Sequence, residues 1–182
     1  MKDSIKSVVL SADEIQERCK TLGKQITEDY NGKTPICIGI LKGSIMFMTD
    51  LIKNIDTHLE IDFMDVSSYH GGTESTGEVK ILKDLSTSVE NRDVIIIEDI
   101  LETGTTLNSI VDLLKYRNVN SIEIVTLLDK PMKRKVDIEA KYVGEKIPDE
   151  FVVGYGLDFA EKYRNLPYIG TLKPEIYEWL VK

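Results

Sequence analysis

The stretch Val94–Leu107 constrains the fold more than any other part of the chain. It opens with four β-branched apolar residues, Val94–Ile97, and such a run is typical of a strand buried on both faces of a parallel sheet. Two carboxylates follow, Glu98 and Asp99, and then a polar turn over 102–106, after which a helical pattern begins. In open α/β sheets, ligands bind at the carboxyl ends of such strands.

The turn carries groups that suit a phosphate. A helix start presents backbone N–H groups and the positive end of a dipole, and Gly104 lets the backbone approach a ligand closely. Hydroxyl donors come from Thr103, Thr105 and Thr106. The spacing is not that of a Walker loop. The carboxylates would repel phosphate, so we expect them to face sugar hydroxyls or a divalent cation. The alternative is an ordinary turn beside a solvated acidic pair.

Length and composition indicate a single soluble domain over 1–182. Hydrophobic content is 42% and charged content is 30%, which is ordinary for a globular protein. A net charge of −8 argues against a general nucleic-acid binder. Cys19 and Cys37 are too few for a disulfide framework, so we expect free thiols in a reducing compartment. No apolar run is long enough to cross a membrane, and we expect a cytoplasmic protein.

Strand and helix patterns alternate along the chain. A capping box at Ser11–Glu14 opens a helix with an apolar stripe, which we expect to cover the sheet. Further helices are predicted over Ile45–Ile55 and Leu107–Tyr116, and strands over Pro35–Leu41, His58–Tyr69, Val79–Leu82 and Ser121–Leu128. This alternation predicts an α/β fold: a mainly parallel twisted sheet with flanking helices. The segment 142–170 is expected to be irregular.

Other polar residues fall where these strands end. Lys42 follows one strand and Lys130 another, and either lysine is also compatible with a solvated turn. The basic run 133–135 is expected to be a solvated surface. The segment His70–Gly77 reads either as a hairpin loop or as a lid over a site. On physical grounds alone Phe151 is expected in the core.

Several segments carry a resemblance to one family. The stretch Val94–Thr106 resembles the phosphoribosyl-pyrophosphate motif of the type I phosphoribosyltransferases. That motif is an apolar strand followed by two acids, two apolar residues, an acid and Thr-Gly-x-Thr. Four further segments resemble the hypoxanthine–guanine members of that family: Leu41-Lys42-Gly43, Ser68-Tyr69, Ile147–Asp158 and Arg164–Tyr168. The resemblance implies the type I phosphoribosyltransferase fold with a small irregular purine-binding hood at about 142–170.

The resemblance also implies purine salvage chemistry. A phosphoribosyl group passes from 5-phosphoribosyl 1-pyrophosphate to hypoxanthine and to guanine, which gives IMP or GMP and pyrophosphate. The family uses Mg²⁺ and commonly forms homodimers or homotetramers. An apolar helix face such as Ile45–Leu51 would serve as a contact or pack in the core.

Roles for single residues follow from matching these motifs. Glu102 would be the general base, and the 103–106 turn would hold the 5′-phosphate. Glu98 and Asp99 would bind ribose hydroxyls and metal, and Asp158 would hold a second metal ion through water. Pyrophosphate would be bound by Lys42, Gly43, Ser68, Tyr69 and Arg164, with a cis peptide before the lysine, and the base by Lys130, Phe151 and the backbone of Val152.

One position departs from the family pattern. The acid after Glu-Asp-x-x is usually aspartate, and here it is Glu102. Both residues carry carboxyl groups of similar pKa, but the side chain is longer by one methylene. Three other interpretations stay open: a xanthine- or guanine-preferring enzyme, a nucleotide-sensing RNA-binding regulator, and an α/β domain with a vestigial site.

Overall fold

The structure, a computed structural model, describes residues 1–68 and 79–177. Its strands in chain order are β1 (Ile5–Leu10), β2 (Ile36–Leu41), β3 (Glu60–Ser68), β4 (Val79–Lys83), β5 (Asp93–Leu101), β6 (Ser121–Asp129), β7 (Tyr142–Lys146), β8 (Val152–Val153) and β9 (Ile169–Leu172). Its α-helices are α1 (Ala12–Asp29), α2 (Ile45–Ile52), α3 (Thr105–Tyr116) and α4 (Pro174–Tyr177), and short 3-10 helices span Lys2–Ser4 and Pro131–Lys133. No helix in these described ranges is both long enough and apolar enough to cross a membrane.

The larger sheet has six strands in the order β4-β3-β2-β5-β6-β7. All neighbouring strands are parallel except β3 and β4, which are antiparallel. This confirms the predicted α/β class with a mainly parallel sheet. The chain leaves β2 toward β3 on one side and leaves β5 toward β6 on the other. The crevice at the carboxyl ends of β2 and β5 is therefore the place where an open α/β sheet binds its ligand.

Strand β5 is buried on both faces because its side chains alternate between two cores. Ile95 and Ile97 pack in the cluster that contains the buried faces of α1 and α2. Val94 and Ile96 pack on the opposite side, in the cluster that contains the buried residues of α3. Fully burying one such side chain stabilises a fold by about 1.5–3 kcal/mol. The continuous apolar run therefore forms the strand that was predicted, buried on both faces of a parallel sheet.

Helix α1 forms as its sequence predicts. The backbone N–H of Glu14 donates to the Ser11 side chain at 3.3 Å, and the Ser11 N–H donates to the Glu14 carboxylate at 2.8 Å. The apolar stripe is buried against the sheet. Both cysteines are buried free thiols, and burial raises the pKa of Cys19 to about 11 and that of Cys37 to about 12.

The prediction that 142–170 is irregular throughout was wrong at its two ends. Tyr142–Lys146 forms β7, which pairs in parallel with β6 and closes one edge of the larger sheet. At the other end, β9 pairs with both β1 and β8 in a separate three-stranded sheet. Strand β7 was missed because Gly144 and two charged residues interrupt its apolar pattern. Strand β8 has only two residues, too few to show alternation.

Candidate active site

Three segments that are distant in sequence meet at the crevice between β2 and β5. The peptide bond Leu41-Lys42 is cis, as the resemblance implied. A Cβ atom at Gly43 would collide with Oδ2 of Asp99, and a Cβ atom at Gly156 would collide with the carbonyl oxygen of Gly43. Only glycine permits these two approaches, through which the turn after β2 touches both the acidic pair of β5 and the hood.

The acidic pair lies inside β5, which continues for two residues beyond it to Leu101. Loss of hydration raises the pKa of Glu98, and the neighbouring charge of Asp99 raises it further. Loss of hydration also raises the pKa of Asp99, to about 6. The Ile100 N–H donates to Oδ1 of Asp99 at 2.7 Å. Two adjacent, partly buried carboxylates of this kind are suited to hydroxyl donors or a cation.

The polar turn over 102–106, here named the phosphate turn after its predicted ligand, follows β5 as expected, but α3 begins earlier than predicted, at Thr105 instead of Leu107. Gly104 precedes the helix with a left-handed backbone (φ 77°), and a Cβ atom there would also meet the side chain of Ile138. A small cleft of about 140 Å³ is lined by Glu98, by residues 100–104, and by Thr106 and Leu107. Thr105 and Thr106 therefore belong to the first turn of α3, whose N–H groups lie at the positive end of the helix dipole.

Glu102 and Lys130 are in contact. The Lys130 ammonium donates to Oε1 of Glu102, because β5 and β6 are neighbours in parallel register, with Leu101 opposite Asp129. Lys130 is buried, with 4% of its surface exposed, and its N–H donates to the Leu101 carbonyl at 2.9 Å. Glu102, the predicted general base, therefore lies beside Lys130, the residue predicted to donate a hydrogen bond to the purine oxygen.

Arg134 corrects one expectation about the basic run 133–135. Its guanidinium donates to the Glu102 carbonyl and to the carboxylate of Asp129, and most of its side chain is buried. The next residue, Lys135, donates its N–H to the Thr103 carbonyl at 2.9 Å. The run is therefore not a simple solvated surface, because Arg134 links the phosphate turn to the end of β6. A run of three basic residues in a sequence does not reveal which member turns inward.

Phe151 does not lie in the core. Its surface is 43% exposed, and its ring meets the edge of the Phe159 ring at a centroid distance of 5.7 Å. The neighbouring Val152 is buried in β8 and pairs with Thr171. An exposed aromatic face beside a buried strand is suited to stacking on a planar ligand.

Lys42 and Arg164, the two cationic side chains predicted to bind pyrophosphate, both contact Glu161, which the sequence analysis missed. Arg164 donates to the Gly156 carbonyl at 2.7 Å and lies 2.8 Å from Asp158 Oδ1. Arg164 and Lys42 also each lie 3.1 Å from a different oxygen of Glu161. The hydrogen bond from Lys42, followed by that from Arg164, lowers the pKa of Glu161. One acid in a polar loop gives no signal of such a position.

The predicted metal ligands do not form a complete cage. Among residues 1–68 and 79–177, no group of three or more His, Cys, Asp or Glu side chains is arranged to hold a metal ion. Glu98, Asp99 and Asp158 nevertheless offer carboxylate oxygens, and Asp158 also raises the pKa of Asp99. Mg²⁺ commonly takes one or two carboxylates and completes its shell with water and substrate phosphates. The residues fit a magnesium ion that is shared with the substrate.

The predicted lid falls largely outside the described residues. Ser68 ends β3, and its side chain, Tyr69 and the segment through Gly77 belong to the part of the chain that is not described.

A mainly parallel α/β sheet with a glycine–threonine turn and an acidic pair at the carboxyl end of its central strand defines the class of α/β proteins that bind a ligand at the switch point of the sheet. The chain belongs to the phosphoribosyl transferase domain family, whose model matches residues 11–160. It is 73% identical over 177 residues to the hypoxanthine-guanine phosphoribosyltransferase of Staphylococcus aureus, covering 97% of this chain and 99% of that one.

Solved structures agree with this assignment. A crystal structure of a hypoxanthine phosphoribosyltransferase from Staphylococcus aureus matches with a TM-score of 0.95 and 73% identity, over 97% of this chain and 96% of that one. A hypoxanthine-guanine phosphoribosyltransferase from Bacillus anthracis, with a HEPES molecule in its active site, matches with a TM-score of 0.90 and 46% identity, over 93% of this chain and 99% of that one.

Proposed function

We propose that this protein is a purine salvage enzyme that transfers the phosphoribosyl group of 5-phosphoribosyl 1-pyrophosphate to hypoxanthine and guanine. The products are IMP or GMP and pyrophosphate. The observation that carries the proposal is the contact of Lys130 with Glu102 beside the phosphate turn. It puts a hydrogen-bond donor and a carboxylate on one side of the place where a phosphorylated ribose would lie. The names of the relatives support the same reaction.

The site geometry supports the binding roles that the resemblance implied. The turn at 103–106 takes the 5′-phosphate on the N-terminus of α3. Glu98 and Asp99 accept hydrogen bonds from the ribose hydroxyls. Lys42 and Arg164, with the backbone of Gly43, bind the pyrophosphate group. Mg²⁺ near Asp99 and Asp158 would neutralise charge on the departing pyrophosphate.

The reaction joins a purine ring nitrogen to the anomeric carbon while the bond from that carbon to pyrophosphate breaks. The nitrogen must lose its proton, and the carboxylate of Glu102 accepts it. Glutamate in place of aspartate extends the reach of this group. The contact with Lys130 holds the carboxylate at the end of β5, so the longer side chain is positioned by its partner.

Base selection rests on Lys130. An ammonium group only donates hydrogen bonds, so it suits the 6-oxygen of hypoxanthine or guanine and not the 6-amino group of adenine. A buried polar group left without its partner costs binding energy, which makes such sites discriminating. The exposed ring of Phe151 stacks on the purine, and backbone carbonyls near Val152 disfavour the additional oxygen of xanthine.

A direct assay tests this proposal. Purified protein is incubated with phosphoribosyl pyrophosphate, MgCl₂ and one of four bases, namely hypoxanthine, guanine, xanthine and adenine, and nucleotide formation is followed by chromatography. We expect IMP and GMP, much less product from xanthine, none from adenine, and none after chelation of the metal. Absence of product from both hypoxanthine and guanine would refute the assignment.

We further propose that the enzyme works as a homodimer or homotetramer in the cytoplasm. Ile45 and Met46 at the start of α2 expose much of their surfaces, while Phe47, Met48 and Leu51 of the same helix are buried. Two exposed apolar side chains beside the site offer a contact for a second copy. The buried free thiols suit a reducing compartment. Light scattering with size-exclusion chromatography would measure the oligomeric state.

A further inference from the structure

Glu161 sits at the tip of a tight turn in the hood. Phe159 and Lys162 exchange two backbone hydrogen bonds, both 3.1 Å long. Between them Ala160 and Glu161 have left-handed backbones, with φ values of 51° and 61°. Neither residue is glycine, so both adopt a conformation that a Cβ atom disfavours. The Glu161 N–H donates to Asp158 Oδ2 at 2.9 Å, which helps to fix the direction in which the side chain leaves the turn.

The carboxylate of Glu161 bridges two cations from different segments. Oε2 lies 3.1 Å from Lys42 Nζ, at the end of β2, and Oε1 lies 3.1 Å from Arg164 Nη2. These are the two side chains to which the proposed function assigns pyrophosphate. Within the described residues, Nε of Arg164 is buried without a hydrogen-bond partner. The carboxylate thus stands where an anionic ligand would contact both side chains.

We propose that Glu161 is an internal counter-anion that competes with the pyrophosphate group for Lys42 and Arg164. This inference rests on the proposed function of the site. To bind pyrophosphate, the enzyme must separate Glu161 from both cations, because a second anion beside the ligand would repel it. Glu161 therefore lowers the affinity for phosphoribosyl pyrophosphate and for free pyrophosphate, and it promotes pyrophosphate release after the reaction. The affinity for IMP is unaffected, because IMP carries no pyrophosphate group.

The size of the effect follows from exposure. The side chains of Lys42 and Glu161 are 62% and 65% exposed, and exposed ion pairs are weak. The second pair joins Glu161 to Arg164, whose side chain is only 24% exposed, so it should contribute somewhat more than the first. Removing both pairs should increase pyrophosphate affinity by about two- to tenfold. The gain should shrink as salt is raised, because salt screens exposed charges.

Two variants remove the charge in different ways. Glu161→Gln keeps the length of the side chain, and Glu161→Asn supplies a residue that tolerates a left-handed backbone. The matched control is Glu17→Gln, because Glu17 on α1 is equally exposed and pairs with Lys20 at 2.7 Å, far along the chain from the site. Isothermal titration calorimetry of full-length protein with sodium pyrophosphate, in buffer containing MgCl₂, gives the dissociation constants. The same titration with IMP reports on the rest of the site.

The outcomes separate this inference from the proposed function. We expect both Glu161 variants to bind pyrophosphate more tightly than wild type, with unchanged IMP affinity and no effect of Glu17→Gln. In a Lys42→Met background the gain should be smaller, because only the pair with Arg164 remains. Unchanged or weaker pyrophosphate binding in both variants would overturn the inference, as would a parallel loss of IMP binding. If wild type binds neither pyrophosphate nor IMP, the proposed function itself fails.

Discussion

Lys42 and Lys130 each follow the last residue of a parallel strand, and each pairs with a glutamate, but the two pairs lie in different surroundings. Lys130 exposes 4% of its side chain and Lys42 exposes 62%. A buried charge that loses its partner is costly, whereas an exposed pair contributes little. The comparison teaches that the two ends of the site differ in how their cations are enclosed, because the protein covers Lys130 while Lys42 and its partner both reach solvent.

The neighbouring loops explain the difference. Lys130 is covered because β5 and β6 run side by side and Arg134 links the loop after β6 to the phosphate turn. Lys42 lies between the start of α2 and the hood, and its partner Glu161 belongs to an exposed turn. The tests below run from the buried end of the site to the exposed end, in order of decreasing effect.

Removing the negative charge of the proposed general base, Glu102, should have the largest effect on the rate. Glu102→Gln leaves a side chain of the same length that cannot accept a proton from the purine, so we expect kcat to fall by about 10²–10⁴-fold. Steady-state kinetics with hypoxanthine at saturating phosphoribosyl pyrophosphate would measure it. Glu102→Asp keeps the carboxylate and should lose less activity. A Gln variant with a near-normal rate would show that Glu102 is not the base.

Removing the buried hydrogen-bond donor, Lys130, should have the second-largest effect on activity. Lys130→Met leaves the purine oxygen without its partner, so kcat/KM for hypoxanthine should fall by about 10- to 100-fold, the value expected for a hydrogen bond to a charged group. The KM for phosphoribosyl pyrophosphate should stay nearly unchanged. Lys133→Met is the matched control, because Lys133 is three residues away and forms an exposed pair with Asp149 at 2.7 Å. Equal losses in the two variants would contradict the comparison.

Replacing Arg134 should have an intermediate effect, on both substrate binding at the phosphate turn and the stability of the fold. Arg134→Met removes the link between the Glu102 carbonyl and Asp129. We expect the KM for phosphoribosyl pyrophosphate to rise about tenfold and the free energy of unfolding to fall by about 1–3 kcal/mol. Kinetics and urea unfolding would measure the two changes. Arg134→Lys should restore only part of each, since lysine lacks the planar fork. Full restoration by lysine would show that charge alone matters.

The exposed lysine should show the smallest effect. Lys42→Met should raise the KM for phosphoribosyl pyrophosphate by at most about fivefold, because Arg164 and the backbone of Gly43 remain. The KM for hypoxanthine should not change. A loss as large as that of Lys130→Met would mean that burial does not separate the two ends of the site.

The sequence predicted the elements that carry strong local patterns. The run Val94–Ile97 became the buried centre of β5, and the capping box at Ser11 opens α1. These succeeded because periodicity and capping are local properties of the chain. The pairing of β1 with β9 joins residues more than 150 positions apart, and no local pattern encodes that contact. Strand β7 was not predicted for a related reason. It is a strand because it pairs with β6, and its own composition does not indicate one.

The sequence predicted individual residues of the site but not which of them contact one another. Motif order pointed to Glu102, Lys130 and Lys42 separately. The register of β5 against β6 brings the first two together, and the fold of the hood brings Glu161 to the third. Arg134 looked like surface because charge and spacing do not report burial. Tertiary structure decided each of these contacts.

The most direct test of the account is a crystal structure with IMP, pyrophosphate and magnesium bound. The account predicts the Lys130 ammonium within about 2.7–3.2 Å of the purine 6-oxygen, the ring of Phe151 against the base, and pyrophosphate contacting Lys42 and Arg164 in place of Glu161. A purine whose 6-oxygen is bound elsewhere, or a Glu161 that still bridges both cations beside the bound pyrophosphate, would contradict it.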